Sequence, residues 1–322
     1  MRVIYNANMR KMHMKKVNVL LSVYNPNRRY LEEQLRSLDN QTYDNMDIII
    51  FDDCVKNRCD QKIFEDCLKK KQYHVLPYKE KNLGYLKAFE YLVKESEGEY
   101  IALCDQDDIW TSDKIEKCVD CLEHDDTLLV VTDRKLIDGE GKVLCDSVRH
   151  TSKQPHEIWN TGDDIGVRNF FTACAPGMCM VVVGDFARST LPFSEYTGHD
   201  KWLIACACAC GRVSFLDEPL SYYRRYGQNV TGVLAGIKSK KDYDEQRIMP
   251  HFELIKEFDK RYPGYEGISR ALEFANARLS HNPIALLKNY SIAPNLVKFE
   301  VVMAVLPEYI VKILIRFLQK QK

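Results

Sequence analysis

The sequence predicts an α/β protein with a mostly parallel central sheet, followed by a helical C-terminal segment. Short apolar runs alternate with amphipathic stretches of roughly a dozen residues through the first 132 positions, a pattern typical of βαβ units. Acidic residues end two of the apolar runs, at "FDD" (51–53) and "CDQDD" (104–108). From about residue 236 onward the pattern is helical and strongly charged, and it carries no strand signal.

Each predicted element follows from its own pattern. Apolar runs predict buried strands over 17–24, 46–51, 73–78, 99–104 and 127–132. Apolar residues at helical spacing predict helices after Pro26 and over 60–71, 84–96 and 112–124, and the 197–211 segment is predicted to be a turn followed by a helix that Gly211 ends. Two further strands are expected, one ending the 168–183 segment and one opening the 212–232 segment. We therefore expect a loose extension over 1–15, a sheet domain over 16–235 and a helical region over 236–322.

Composition bears on the possible functions of the protein and on its cellular location. With 46 basic and 46 acidic residues the formal net charge is zero, so no overall field favours nucleic acid. Several of the twelve cysteines lie inside apolar runs, and the lone C-x-x-C pair (Cys118, Cys121) lacks a second pair, which predicts reduced structural thiols. The first residues lack the apolar core of a signal peptide, and no apolar run approaches the ~18 residues of a membrane span. These features predict a cytoplasmic location.

Three aspartates crowd into four positions, at Asp105, Asp107 and Asp108. One aspartate suffices to cap the helix that follows, and Asp108 is the candidate for that role. A cluster at the carboxyl edge of a parallel sheet better fits a hard divalent cation, which takes one or two protein carboxylates and leaves its other positions to phosphate and water. The pattern therefore favours metal binding, with Asp107 as the expected ligand.

Three other segments each allow two interpretations. Asp52 and Asp53 either form the turn after a strand or accept hydrogen bonds from a base or ribose. "NLGYLKA" (82–88) is either a helix start capped by Asn82, or a place where Gly84 lets a nucleotide approach closely. In "TGHD" (197–200), Asp200 either caps a helix beside an exposed histidine or acts as a general base.

Taken in order, these segments resemble a known family. The stretches "VNVLLSVYNPNRRYLEEQLRSLDNQTYDNMDIIIFDD", "KNLGYLKAFEYLVKESEGEYIALCDQDDIWTSDKIE", "GHDKW" and "YYRRYGQNVTG" resemble the inverting, GT-A-fold glycosyltransferases of family 2. The resemblance is closest to bacterial rhamnosyltransferase-like enzymes that build surface polysaccharides, and it covers about residues 16–232. It implies a Rossmann-like nucleotide-sugar-binding domain, a nucleoside diphosphate sugar as donor, and a glycan or lipid-linked acceptor.

The same resemblance implies a set of site residues. Asp105 and Asp107 match the DXD motif and would hold Mg²⁺ or Mn²⁺, and Asp200 would be the catalytic base. Arg224 and Arg225 are candidates to neutralise the leaving diphosphate. The remaining positions implied to line the donor are Ser22, Tyr24, Asn25, Asp52, Asp53, Asn82, Gly84, Lys87 and Asp105.

One position departs from the family pattern. Relatives usually read Tyr-Arg-x-His-Gly in the late loop, whereas this chain has Tyr226 in place of the histidine. That departure keeps open a catalytically degenerate nucleotide-sugar binder as an alternative. A nucleotidyltransferase is a second alternative, but it would be expected to carry a glycine-rich phosphate loop, and "LLSVYNPNRR" (20–29) has no glycine.

The C-terminal segment "LPEYIVKILIRFLQKQK" (306–322) is basic and amphipathic. It is expected either to lie on an anionic membrane, where a lipid-linked acceptor would be found, or to pack its apolar stripe on the protein. The sequence pattern fits both.

Overall fold

The computed structural model describes residues 14–124, 126–151, 158–226, 234 and 236–320. They form two compact units. The first unit comprises the described residues up to Gly162, together with Ala175–Phe193 and Cys210–Arg225. The second comprises Asp163–Cys174, Ser194–Ala209 and the described residues from Tyr226 onward. Two segments from within the predicted 16–235 domain thus cluster with the C-terminal helices, and the predicted domain boundaries stay a prediction.

The first unit is built on a nine-stranded sheet. The strands are β1 (Val17–Val23), β2 (Met46–Asp52), β3 (Gln72–Val75), β4 (Tyr100–Cys104), β5 (Ile109–Trp110), β6 (Thr127–Ile137), β7 (Val143–Cys145), β8 (Met180–Val183) and β9 (Arg212–Arg224). Their order in the sheet is β3-β2-β1-β4-β8-β6-β9-β5, with β7 paired to β6. Strands β1 to β4 are mutually parallel, and β8 is antiparallel to both β4 and β6, so β6 runs in the direction of β1 to β4. Because β9 is parallel to β6, six strands share one direction, which confirms the predicted α/β fold.

Strand β1 lies between β2 and β4, so the carboxyl ends of these three strands are neighbours at one edge of the sheet. Its apolar side chains are completely buried, as expected of a strand covered on both faces. The polar side chain of Asn18 is buried as well, and its Oδ1 accepts hydrogen bonds from the backbone N–H groups of Glu97 and Gly98. This side chain therefore fixes the turn that leads into β4.

Five helices belong to the first unit or flank its strands. They are α1 (Arg28–Asp39), α2 (Lys62–Cys67), α3 (Gly84–Glu95), α4 (Lys114–Leu122) and α6 (Gly184–Ser189), while α5 (Gly166–Phe171) belongs to the second unit. Helix α1 follows a cap in which the Asn27 side chain accepts from the Tyr30 N–H, and its buried face includes Leu31, Leu35 and Leu38. Helices α2, α3 and α4 also bury apolar side chains, whereas the short α6 buries Gly184 and Ala187.

The second unit is helical in its described residues, as the charged C-terminal pattern predicts. A fully buried ion pair joins Arg278 to Glu300, with Nη2 2.7 Å from Oε1, and the Tyr243 hydroxyl donates to the same carboxylate at 2.7 Å. A buried charge is tolerated only when it is paired in this way. After α5 the helices are α7 (His199–Cys210), α8 (Lys240–Tyr243), α9 (Met249–Arg261), α10 (Gly267–Leu279), α11 (Pro283–Lys288), α12 (Pro294–Val305) and α13 (Glu308–Lys320), with a π-turn over Asp244–Ile248.

Helix α13 packs one face on the second unit through Val311 and Ile315, which are completely buried in a cluster with Ile237 and Met303. Its opposite face exposes Tyr309, Ile313, Phe317 and other side chains. Packing against the second unit therefore explains the apolar residues on one face of this helix, but not those on the opposite face. None of the helices in the described part of the chain combines the length and the apolar character that crossing a bilayer requires.

All twelve cysteines are free thiols in the structure. Cys118 is buried and Cys121 is half-buried on the same helix, α4. Within the described residues, no group of three or more histidine, cysteine, aspartate or glutamate side chains is arranged to hold a metal ion.

Candidate active site

The aspartate-rich segment forms a turn between β4 and β5, at the carboxyl edge of the sheet. Asp105 and Asp107 are half-buried, whereas Asp108 is 1% exposed. One Asp108 oxygen accepts from the Arg224 backbone N–H at 2.9 Å, and the other has no hydrogen-bond partner. Burial, reinforced by the negative charges of Asp105 and Asp107, raises the pKa of Asp108 well above its usual range. Burial therefore favours the neutral form of Asp108, and Asp105 and Asp107 are the partly exposed carboxylates of the turn.

Asp108 does not cap a helix, which corrects the capping interpretation. Two residues of strand β5 follow it directly, and α4 begins only at Lys114, after Asp113. The Asp108 carboxylate instead joins the turn to the last residue of β9. Asp108 thus bonds to a strand that is distant in sequence, and not to the start of the next helix, as the sequence suggests.

Gln106, which no sequence motif singles out, fastens this turn to the loop after β1. Its Oε1 accepts from the Tyr24 N–H at 2.7 Å, and its Nε2 donates to the Tyr24 carbonyl at 3.1 Å. A side-chain amide can satisfy a backbone donor and acceptor together in this way. The aspartate turn and the β1 loop are therefore held in a fixed relation.

Arg224 anchors the turn from the opposite side. Its side chain is 0% exposed, Nε donates to the Asp107 carbonyl at 2.9 Å, and the guanidinium lies 4.3 Å from the centre of the Tyr30 ring. Nη2 pairs with the Glu33 carboxylate on α1. Because its nitrogens bind other groups of the protein, Arg224 is better suited to shaping the turn than to contacting a diphosphate. The resemblance implied that Arg224 neutralises the leaving diphosphate, and we replace that role with a positioning role.

The two aspartates at the end of β2 accept hydrogen bonds from backbone N–H groups of neighbouring loops. Asp52 accepts from the N–H groups of Cys54 (2.9 Å) and Cys59 (2.7 Å), which closes the loop between them. Asp53 accepts from the N–H groups of Leu83 (2.7 Å) and Gly84 (2.8 Å), the orphan donors at the start of α3. Both carboxylates are nearly completely buried, and their contact with base or ribose stays a prediction.

Asp53 rather than Asn82 therefore caps α3, and Asn82 supports it by donating from Nδ2 to the same carboxylate at 2.7 Å. Gly84 has a φ of +77° with open space around the position of a Cβ. Its backbone conformation, not a close neighbour, explains why glycine stands there. Lys87, one turn later, lies 3.2 Å from Glu90 on the half-exposed face of α3.

The remaining donor-side positions cluster at the same edge. Ser22 is half-buried near the end of β1, and Tyr24 is 55% exposed just beyond it. Asn25 has a left-handed φ of +44° and accepts from Asn57 at 2.9 Å. Arg225 is exposed while its backbone N–H donates to the Ile137 carbonyl at 2.7 Å.

The late loop is only partly described. Tyr226 is half-buried, and the loop residues 227–233 that follow it lie outside the described residues. The effect on the site of having Tyr226 where the family pattern has a histidine therefore stays a prediction.

Asp200 lies in the second unit, in the first turn of α7, where its Oδ1 accepts from the Lys201 N–H at 2.7 Å. A Cβ at position 198 would lie 2.5 Å from the same oxygen, so glycine at 198 leaves the space that this carboxylate occupies. His199 is buried, not exposed, and burial lowers its pKa, which keeps the imidazole neutral near pH 7.

Lys201, the neighbour of Asp200, and His251 both have lowered pKa values within the second unit. Burial lowers the pKa of Lys201 to about 8, and the charge of Arg278 acts in the same direction. Burial, together with the charges of Lys201 and Arg278, also lowers the pKa of His251 well below its usual range. Burial therefore shifts both side chains towards their neutral forms.

Asp105 and Asp107 suit a divalent cation in part. Carboxylate oxygens at a sheet edge are the right donors for Mg²⁺ or Mn²⁺, and both side chains are partly exposed. Because the described residues contain no ready-made cluster of three ligands, a cation would need further oxygens from a ligand and water.

Comparisons with known proteins agree with this architecture. Residues 18–181 match the family model described as glycosyl transferase family 2. An uncharacterized glycosyltransferase of Nostoc sp. is 24% identical over 236 residues, which span 72% of this chain and 71% of that protein. The dTDP-rhamnosyl transferase RfbG of Shigella flexneri is 26% identical over 228 residues, spanning 66% of this chain and 73% of RfbG. In three other curated relatives, the aligned regions span only 30% to 50% of the relative's length.

A crystal structure of S. aureus TarS in complex with UDP-GlcNAc has the same fold. The TM-score is 0.56 at 18% sequence identity, over 88% of this chain and 82% of that chain. This likeness concerns the fold alone.

The positioning role of Arg224 can be tested without any ligand. In Arg224→Lys the charge stays, but the planar fork that reaches Asp107, Glu33 and the Tyr30 ring is lost. We expect amide hydrogen exchange at Ile109 and Trp110 to accelerate at least about tenfold, since a hydrogen bond from a charged group contributes roughly 1.5–3 kcal/mol. The matched control is Arg225→Lys, at the exposed neighbour. Equal exchange in both variants would show that Arg224 does not order the turn.

Proposed function

Since the chain belongs to glycosyl transferase family 2, we propose that it moves a sugar, with inversion, from a nucleoside diphosphate sugar to a hydroxyl group of a glycan or lipid-linked acceptor. Surface polysaccharide synthesis is the process in which we expect it to act. The observation that carries the proposal is the anchored turn at the end of β4, which presents Asp105 and Asp107 beside the β1 loop. In open α/β sheets, ligands bind beyond the carboxyl ends of the strands.

In this proposal, Asp105 and Asp107 hold Mg²⁺ or Mn²⁺ together with the donor diphosphate. A divalent cation there would offset the negative charge that grows on the leaving phosphate. Arg225 is the exposed cation that we assign to the diphosphate, since Arg224 is committed to the turn. Ser22, Tyr24, Asn25 and Lys87 remain the proposed donor contacts at the sheet edge.

Asp200 is the proposed catalytic base. An ionised carboxylate can take the proton from the acceptor hydroxyl while that oxygen attacks the anomeric carbon and the diphosphate leaves from the opposite face. The support for this assignment is the resemblance of "GHDKW" to the family motif, together with the space that Gly198 leaves for the carboxylate.

Two similar proteins suggest different donors. The name of RfbG suggests dTDP-rhamnose, whereas TarS was crystallised with UDP-GlcNAc. We take dTDP-rhamnose as the first candidate because RfbG aligns over most of both chains. The free thiols support a reducing, cytoplasmic location for the enzyme.

A thermal-shift panel tests the proposal directly, because a ligand that binds the folded state raises its melting temperature. The panel contains dTDP-rhamnose, UDP-GlcNAc, other nucleotide sugars, and the nucleoside triphosphates ATP, CTP, GTP and dTTP, each with Mn²⁺. We expect at least one nucleotide sugar to stabilise the protein and to be turned over with release of its nucleoside diphosphate. Stabilisation by triphosphates alone would favour a nucleotidyltransferase, and binding without turnover would favour a degenerate binder.

The role of Asp200 is tested by two variants. Asp200→Asn should lower transfer by at least about a hundredfold while the donor-induced thermal shift persists, because the base acts on the acceptor. Gly198→Ala should lower transfer by about tenfold or more by displacing the Asp200 carboxylate, whose flexible end can move at little cost to folding.

Asp185→Asn is the matched control for these variants, since Asp185 is an exposed aspartate in the first turn of another helix. It should leave transfer unchanged. Full activity of Asp200→Asn would rule out the base assignment.

A further inference from the structure

The outward surface of α13 carries an apolar row with basic residues along one side. Tyr309, Ile313 and Phe317 are 66%, 64% and 58% exposed. Residues four apart lie above one another on a helix, so these three side chains form a continuous row. Lys312 and Arg316 stand beside the row at the same spacing and are exposed as well. These five residues are called the apolar–basic face.

Packing within the second unit does not account for this surface. The inward residues Val311 and Ile315 already bury the opposite face of the helix. Exposed apolar side chains are also concentrated in the neighbouring sequence, where nine of the eighteen large exposed ones among the described residues fall between Leu279 and Phe317. Isolated exposed apolar residues are ordinary, whereas a continuous row such as Tyr309, Ile313 and Phe317 indicates a surface that binds something.

The charge of the region shows what kind of partner fits. The last 42 residues contain six basic and two acidic residues, although the net charge of the whole chain is zero. Of the two acidic residues, Glu300 is buried against Arg278, and Glu308 lies 3.8 Å from Lys312 in an exposed pair. A second copy of the same face would bring like charges together, which disfavours self-association.

We propose that the apolar–basic face binds an anionic lipid bilayer. Tyr309, Ile313 and Phe317 enter the boundary between head groups and acyl chains, and Lys312 and Arg316 extend along the helix to reach lipid phosphates. The axis of α13 then lies in the plane of the membrane, in agreement with the lack of a spanning helix among the described residues. Such binding would hold the protein where lipid-linked acceptors are found, but it does not depend on the donor or on Asp200.

Co-sedimentation of the full chain with vesicles tests the proposal. Vesicles of equal parts phosphatidylglycerol and phosphatidylcholine should bind the protein, and vesicles of phosphatidylcholine alone should bind it much more weakly. Replacing Lys312 or Arg316 by alanine should weaken binding about fivefold each, as expected for the loss of one basic residue near an anionic surface. The double variant Ile313→Asn/Phe317→Asn should weaken it by about tenfold or more, because apolar burial is lost.

The matched control is Val143→Asn/Leu144→Asn, which changes two exposed apolar residues of the first unit and should bind vesicles like the unchanged protein. All substituted side chains are exposed, so folding should be preserved, which circular dichroism can verify. The proposal would be overturned if the wild-type protein did not bind anionic vesicles, or if the Ile313→Asn/Phe317→Asn variant bound them as well as the control does. A concentration-dependent dimer that is lost in this variant without any vesicle binding would also overturn it.

Discussion

The buried guanidinium of Arg224 is the interaction on which the shape of the candidate site depends. A guanidinium without solvent contact is tolerated only when its donors are satisfied, and Arg224 achieves this through the Asp107 carbonyl, the Glu33 carboxylate and the Tyr30 ring. Its backbone N–H holds Asp108 as well. One residue at the end of β9 thus connects the aspartate turn to helix α1, and the Gln106 amide completes the frame by fixing the β1 loop.

The carboxylates at the sheet edge divide into two groups according to their partners. Asp52 and Asp53 are buried and accept backbone N–H groups, so they stabilise the loop before α2 and the start of α3. Asp105 and Asp107 are half-buried, and their charges act on Asp108, whose second oxygen lacks a hydrogen-bond partner. The carboxylates of the first group are buried and accept backbone hydrogen bonds, whereas those of the second are more exposed and accessible to a cation. This difference is why we assign the donor metal to the turn and a supporting role to the β2 end.

The sequence predicts most of this fold because long apolar runs and helical spacing are local signals. Strands β1, β2 and β4 and helices α3 and α7 lie within a residue or two of their expected bounds. Strands β5 and β7 have two and three residues, too few for a periodic pattern, and they form because β9 and β6 offer partners. The positioning role of Arg224 has no local signal because its partners are distant in sequence, 117 residues away in the case of Asp107. The space at Gly198 and the burial of His199 likewise depend on packing that no local pattern encodes.

The affinity of Mn²⁺ with and without a nucleoside diphosphate tests the central claim most directly. With two turn carboxylates and no ready-made cluster of three ligands in the described residues, we expect the protein to bind Mn²⁺ weakly alone and much more tightly when the matching nucleoside diphosphate is present. This gain should disappear in Asp107→Asn and persist in Asp113→Asn, a change at an aspartate just beyond β5. Mn²⁺ binding that is unaffected by the diphosphate, or equal in the two variants, would contradict a donor site at the Asp105–Asp107 turn.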